Sequence, residues 1–164
     1  MGFLPLLVLF VSTGNAARSL IAEAILNGKG SSAYRARSAG VAPLEAIHPE
    51  TKALLEIAGY QTEKLHPKRW EDFHAAAHLV KVDIIVTLSE EAQEICPKDW
   101  PCDPVFVHWA VDNPLGAESA DRREWKFRKC LTTLEARIGT LVRMRPEASH
   151  SEMLLNLKAI GMVV

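Results

Sequence analysis

Apolar residues fall in two rhythms along this chain, short continuous runs and stripes at helical spacing. Leu6 to Val11 is a continuous branched run of strand length, the pattern of a buried strand. It breaks at Ser12 into a small polar loop that closes with Arg18 and Ser19. A helix-forming run, Leu20 to Leu26, follows and stops at Asn27-Gly28. A Gly/Ser-rich connection over 28–32 leads to a short strand around Tyr34 to Ser38, punctuated by Gly40. His48-Pro49-Glu50 opens a second helix that carries Leu54, Leu55 and Ile57 and ends at Gly59. Residues 60–70 are polar and irregular, and a short helix is expected from Glu71 to about His78.

Val82 to Leu88 is the clearest interior strand after the first, and it runs into a polar helix start at Ser89-Glu-Glu. Cys96 to Pro104 holds three prolines and two cysteines and reads as a loop. Val105-Phe-Val107 is a fourth strand, and residues 108–120 form a long connection containing Asp112-Asn113-Pro114. Ser119 caps a long helix with Asp121 in its first turn. Phe127, Leu131, Leu134, Ile138 and Leu141 then give one apolar stripe, with Arg and Lys expected on the other face and Pro146 as the stop. Residues 147–160 carry a second stripe of Met153, Leu154, Leu157 and Ile160.

Strands alternating with helices predict a single α/β domain. Its expected form is a four-stranded, parallel, doubly wound sheet flanked by helices, with an extra C-terminal helix. The division expected is a main domain over 1–145 and a helical extension over 146–164 packed on it. Ligands of such sheets collect at the carboxyl ends of the strands, where the Ser12 loop, Ser89 and Asp112 would all emerge. Strand, tight loop and helix N-terminus make an anion cradle of backbone N–H groups and helix dipole. Arg18 adds a planar fork for two oxygens of a tetrahedral oxyanion. A surface arginine at a helix start is the plainer reading of Arg18, and its place just before Ser19 favours the ligand.

Composition narrows the class. The 164 residues are 48% hydrophobic, enough for one substantial core. Nineteen Lys and Arg against twenty Asp and Glu give a net charge of −1, so no global field favours nucleic acid or an anionic membrane. Three cysteines, Cys96, Cys102 and Cys130, are too few for a secreted disulfide framework, and a reducing cytoplasm is expected. Phe3 to Val11 could be read as the core of a signal peptide, but no Lys or Arg precedes it, Pro5 interrupts it, and an anion loop follows. The run is too short to span a bilayer as a helix. No metal site is expected, for want of Cys-x-x-Cys pairs or clustered His.

The loop Ser12-Thr-Gly-Asn-Ala-Ala-Arg18-Ser19 resembles the signature of the low-molecular-weight protein tyrosine phosphatase and thioredoxin-type arsenate reductase family. The likeness extends through Ala22-Glu-Ala24, Ser38-Ala-Gly40, His48-Pro49, Trp70 to Phe73, Val86-Thr-Leu88, Cys96-Pro97 and His108-Trp109, and so covers nearly the whole chain. The C-terminal helix and the absence of an Asp-Pro-Tyr segment resemble the arsenate reductase branch. The resemblance implies an anion site formed by Thr13, Gly14, Asn15, Ala16, Ala17, Arg18 and Ser19. Arg18 would be its clamp, Asn15 its brace, and phosphate, arsenate or sulfate its ligand. It also implies thioredoxin, glutaredoxin or a small thiol as electron donor if the chain is active, and a phosphoprotein is the alternative partner if the chain binds without catalysis.

Three positions depart from that pattern. Ser12 stands where the family has its nucleophilic cysteine, and an alcohol stays protonated where a thiol ionises and cannot form a disulfide. The general-acid position falls at Asn113, whose amide cannot donate a proton in the same way; Asp112, one residue earlier, would point elsewhere. Of the two resolving cysteines implied seven residues apart, the positions are Ser89 and Cys96, so only the second survives, with Cys102 nearby as a different redox candidate. Three readings of Ser12 stay open: an engineered change that inactivates a phosphatase or reductase, a natural loss of catalysis, or an unrelated loop serine. The shared departures at Ser89 and Asn113 favour the natural loss, a non-catalytic binder of phosphate or a phosphoprotein. Cys130, among helix residues, reads as structural, and His108 beside Trp109 as a packing feature at a strand end.

Overall fold

The computed structural model describes residues 4–116 and 118–163. Phe3 at the head of the apolar run, Ala117 in the 108–120 connection and Val164 at the end of the C-terminal segment lie outside them. Four parallel strands form the sheet: β1 (Leu6–Ser12), β2 (Tyr34–Gly40), β3 (Ile84–Thr87) and β4 (Val105–His108). Their order is β2-β1-β3-β4. The chain therefore steps from β1 to one side for β2 and to the other for β3. The carboxyl end of β1 is the switch point at which such sheets bind ligands.

Alternation along β1 explains why helices cover both faces. Val8 and Phe10 point into a core shared with α1 (Arg18–Gly28), α5 (Ala120–Leu141) and α6 (His150–Gly161), whereas Leu7, Leu9 and Val11 point into the opposite one. The second core holds Ala92 of α4 (Glu90–Ile95), together with Cys96 and Trp100; Phe73 of α3 (Trp70–Ala75) packs against it. The α2 helix (Pro49–Ile57) packs on α1 and α5 and buries Leu55. No helix among the described residues is long and apolar enough to cross a membrane.

Several boundaries differ from the sequence expectation for local reasons. β3 is shorter than the apolar run 82–88 because β4 offers partners only at Ile84–Thr87, although Val82 and Leu88 are still buried. The helix expected over 71–78 starts at Trp70 and gives way at Ala76 to turns closed by Leu79 N–H on the Ala76 carbonyl. α5 ends at Leu141, well before Pro146, as its last turns tighten into three-residue bonds such as Met144 N–H to the Leu141 carbonyl. α6 starts at His150 rather than Glu147, because Ser149 and Glu152 form a reciprocal capping box there. The expectation of Arg and Lys on the face of α5 opposite the apolar stripe meets one exception. Arg137 is buried and donates to the carbonyls of Ala110 and Val163.

The C-terminal helix sits against β4 and α5. Met153, Leu157 and Ile160 are buried, and Trp109 Nε1 donates to the Leu157 carbonyl at 2.9 Å. Gly161 permits this approach, since a Cβ there would lie 2.5 Å from the Trp109 ring.

Candidate oxyanion site

The backbone of residues 12–18 is oriented by the segment that follows β2. Val41, Ala42 and Leu44 donate their N–H to the carbonyls of Ser12, Thr13 and Gly14 at 3.1, 2.8 and 2.9 Å. The Ala16 carbonyl accepts from His48 N–H at 3.1 Å and from Thr51 Oγ1 at 2.8 Å. A planar trans peptide sets its N–H opposite its C=O. Outward carbonyls at 12, 13, 14 and 16 therefore turn the N–H groups of Thr13, Gly14, Asn15 and Ala17 inward. Among the described residues, no hydrogen bond engages the backbone N–H of Thr13, Gly14, Asn15, Ala16, Ala17 or Arg18. Asn15 to Ala17 are nevertheless buried. Buried N–H groups left without an acceptor are rare and costly.

The helix that closes the loop is uncapped in the same way. α2, α4, α5 and α6 are capped by the side chains of His48, Ser89, Ser119 and Ser149. α1 has Ala17 at that position and no side-chain cap. Its dipole and its free donors converge on the loop's centre, which is the chemistry of an anion seat.

Side chains hold this shape. Asn15 has φ +48°, a left-handed conformation that Asn tolerates better than most residues. Its Nδ2 donates to Ser19 Oγ at 2.6 Å and to Ser38 Oγ at 2.9 Å, and its Oδ1 accepts from Lys68 N–H at 2.8 Å. Lys68 Nζ lies 3.6 Å from Glu23 Oε1 and 3.4 Å from Ser38 Oγ. Burial pushes the Glu23 carboxyl up from its ordinary value and the Lys68 ammonium down, while each opposes the shift of the other. Sequence reasoning missed Glu23 and Lys68 as supports of the loop. The available signal was Glu23, the one charge inside the apolar run Leu20 to Leu26; Lys68 lies in an irregular segment that carries none.

Gly40 is a further support. A Cβ there would lie 2.9 Å from the Thr13 carbonyl oxygen and 3.1 Å from Asn15 N, both backbone atoms that cannot swing aside. Gly40→Ala is expected to displace the loop, costing about 1–3 kcal/mol of stability and about tenfold or more in phosphate affinity. Thermal unfolding and phosphate calorimetry on the same variant check both.

Ser12 ends β1 inside the site, 3% exposed, with its Oγ 2.6 Å from Ser19 Oγ. Thr13 Oγ1 donates to Ser89 Oγ at 3.0 Å, and Ser89 Oγ itself accepts from Ala92 N–H. Ser89 thus ties the loop to the start of α4. Arg18 is half-buried, and its Nη1 donates to the Val111 carbonyl at 3.0 Å. Burial lowers its pKa, opposed by the nearby Cys130, Glu91 and Asp112. Asp112 is exposed and near Arg18, whereas the exposed Asn113 turns its Oδ1 back on Leu115 N–H at 3.1 Å in a local turn. The structure thus brings Ser12, Thr13, Asn15, Arg18, Ser19 and Ser89 together and leaves Asn113 outside that set of contacts.

The cysteines stand apart as free thiols. Cys96 is not in an open loop but in the second core, where burial, with Glu71 adding, pushes its thiol up to about 12. Cys102 donates Sγ–H to the Val82 carbonyl. Burial pushes Cys130 up to about 12 as well. His108 Nδ1 and Thr87 Oγ1 share a hydrogen bond of 2.8 Å, and burial lowers the imidazole pKa. Among the described residues, no three His, Cys, Asp or Glu side chains gather to hold a metal.

Comparison with known proteins gives concordant matches. The family model for low molecular weight phosphotyrosine protein phosphatase matches residues 7–151. An arsenate reductase of Halalkalibacterium halodurans is 30% identical over 135 residues, 81% of this chain and 92% of the relative. Among solved structures, an arsenate reductase from Archaeoglobus fulgidus superposes with a TM-score of 0.65 at 32% identity, covering 84% of this chain and 99% of its own. A thioredoxin-dependent arsenate reductase from Corynebacterium glutamicum gives a TM-score of 0.64 at 26% identity over 86% of this chain and 62% of its own.

Proposed function

The chain belongs to the low molecular weight phosphotyrosine protein phosphatase family, and we propose that within it this protein binds a tetrahedral oxyanion, phosphate or arsenate, without the family's thiol chemistry. The observation that carries the binding is the run of six backbone N–H groups, Thr13 to Arg18, that no acceptor among the described residues engages. Six donors at an uncapped helix start are satisfied together by one multiply charged oxyanion. The Arg18 guanidinium, anchored through one N–H on Val111, keeps further N–H groups for that ion's oxygens.

The loss of chemistry follows from three side chains. The Ser12 hydroxyl is not ionised by a site of this strength and has no redox chemistry. Ser89 is employed as the N-cap of α4 and as the partner of Thr13, a role that suits an oxygen. Asn113 spends its carbonyl on a turn. Without a thiol at position 12, no thioredoxin, glutaredoxin or small thiol is needed as donor. The arsenate reductase branch supplies the better reading of the ligand, because its members from Halalkalibacterium and Archaeoglobus are among the relatives above.

A second reading has an observation of its own. The Ser12 Oγ lies 2.6 Å from Ser19 Oγ beside six free N–H groups, a setting that would hold a thiolate, as expected if a serine had been substituted for a working cysteine. Calorimetry separates binding from turnover. The wild-type chain is expected to bind one phosphate or arsenate per molecule and to yield no arsenite when a thiol donor is supplied. Absence of saturable binding would overturn the cradle, and arsenite production would overturn the loss of chemistry.

A further inference from the structure

Beside the segment that anchors Arg18 lies a cavity of about 220 Å³, between Ala110–Asp112 and the middle of α5, which no residue of the 12–19 loop lines. Three cations face it, Lys126, Lys129 and Arg137, against one carboxylate, Asp112. On α5 the positions 126, 129, 133 and 137 follow at steps of three and four, so one helix face presents them all.

None of the ion pairs among the described residues includes Lys126 or Lys129. Lys129 Nζ instead lies 5.3 Å from the centroid of the half-exposed Trp125 ring, and the Arg122 guanidinium lies 5.2 Å from it. Aromatic contact rather than a carboxylate thus holds Lys129 at the cavity. Deeper in, Arg137 is 6% exposed and donates Nη1 to the Ala110 carbonyl and Nε and Nη2 to the Val163 carbonyl. A guanidinium carries five N–H groups, so two have no acceptor among the described residues. Thr133 also lines the cavity.

We propose that this cavity is a second anion site, distinct from the 12–19 loop, and that it takes a small organic dianion, a dicarboxylate or a phosphomonoester. Charge and volume set the class. Three cations less one carboxylate leave two positive charges to be met. About 220 Å³ is below the roughly 300–1,000 Å³ of drug-sized ligand pockets, which excludes a nucleotide and suits a few heavy atoms. Arg137 N–H and Thr133 hydroxyl receive one end of the ion, and Lys126 and Lys129 the other.

Calorimetry on the full chain tests this with succinate, its uncharged diamide succinamide, and glycerol phosphate. Succinate is expected to bind saturably, and succinamide about tenfold or more weakly. A Lys126→Ala/Lys129→Ala double variant is expected to lose about tenfold in succinate affinity and to bind inorganic phosphate as wild type does. Gly40→Ala, which crowds the loop and touches no residue of the cavity, should do the reverse, losing about tenfold in inorganic phosphate affinity and keeping succinate. Glycerol phosphate affinity that falls in the double variant places phosphomonoesters in the site; affinity unchanged there, with succinate weakened, leaves dicarboxylates. The proposal is overturned if succinamide equals succinate, or if the double variant binds succinate as tightly as wild type. Because phosphate at the loop is measured in the same variants, failure here is distinct from failure of the loop as an anion seat.

Discussion

Arg18→Ala is expected to lower phosphate and arsenate affinity about a hundredfold or more. Two charge-assisted hydrogen bonds from one guanidinium to one oxyanion contribute about 1.5–3 kcal/mol each, and every 1.4 kcal/mol is about tenfold in affinity. The six loop N–H groups are untouched by the substitution, so weak residual binding is expected rather than none. Arg18→Lys separates charge from shape. It keeps the cation but loses the planar fork, and should fall between wild type and Arg18→Ala. The same side chain ties α1 to the segment after β4 through Val111, so melting temperatures must accompany the calorimetry. A folded Arg18→Ala chain that binds phosphate like wild type would remove Arg18 from the site.

The β1 strand, its loop and the following helix were legible because each is local. A continuous apolar run, small polar residues and an arginine before a serine together dictate strand, turn and helix start. Side-chain caps were legible for the same reason, and Ser119 stands where its sequence position puts it. What sequence did not carry is the pairing between distant segments. Nothing local to Lys68 says that its backbone holds Asn15 or that its ammonium meets Glu23. Arg137 reads as one more basic residue opposite the apolar stripe, because its carbonyl partners lie 26 and 27 residues away in the chain. Ser89 is the instructive case. As a departure from the family pattern it suggested only a missing thiol, whereas the structure shows it capping α4 and receiving Thr13. Serine at that position has a structural role of its own, in keeping with the proposed natural loss of the family's chemistry.

Ser12→Cys puts that view to its hardest test. The introduced thiol would stand where Ser12 Oγ now meets Ser19 Oγ, with six N–H groups and the uncapped start of α1 around it. A helix N-terminus of this kind lowers a thiol from its ordinary value near about 8.5 into the range of roughly 3.5–7.5. A thiol so lowered is mostly thiolate at neutral pH, and its alkylation by iodoacetamide should fall away only as pH drops through that range. Cys96 and Cys130, pushed up to about 12, stay protonated and silent under the same conditions, and phosphate should protect the new thiol alone. Chemistry should return only in part. An aryl phosphate with a good leaving group needs little acid assistance and is expected to turn over. An alkyl phosphate is not, because Asn113 supplies no proton. Arsenate reduction should depend on an added thiol, because Ser89 cannot provide the second sulfur. Measured together, the alkylation profile and the two phosphate assays separate the histories of position 12. Full activity toward both esters would mark Ser12 as an isolated change in a working enzyme. Activity limited to the activated ester is the result expected of a site already released from its chemistry at Asn113 and Ser89. A thiol titrating near its ordinary value with neither ester cleaved would show that the loop is not a thiolate cradle at all.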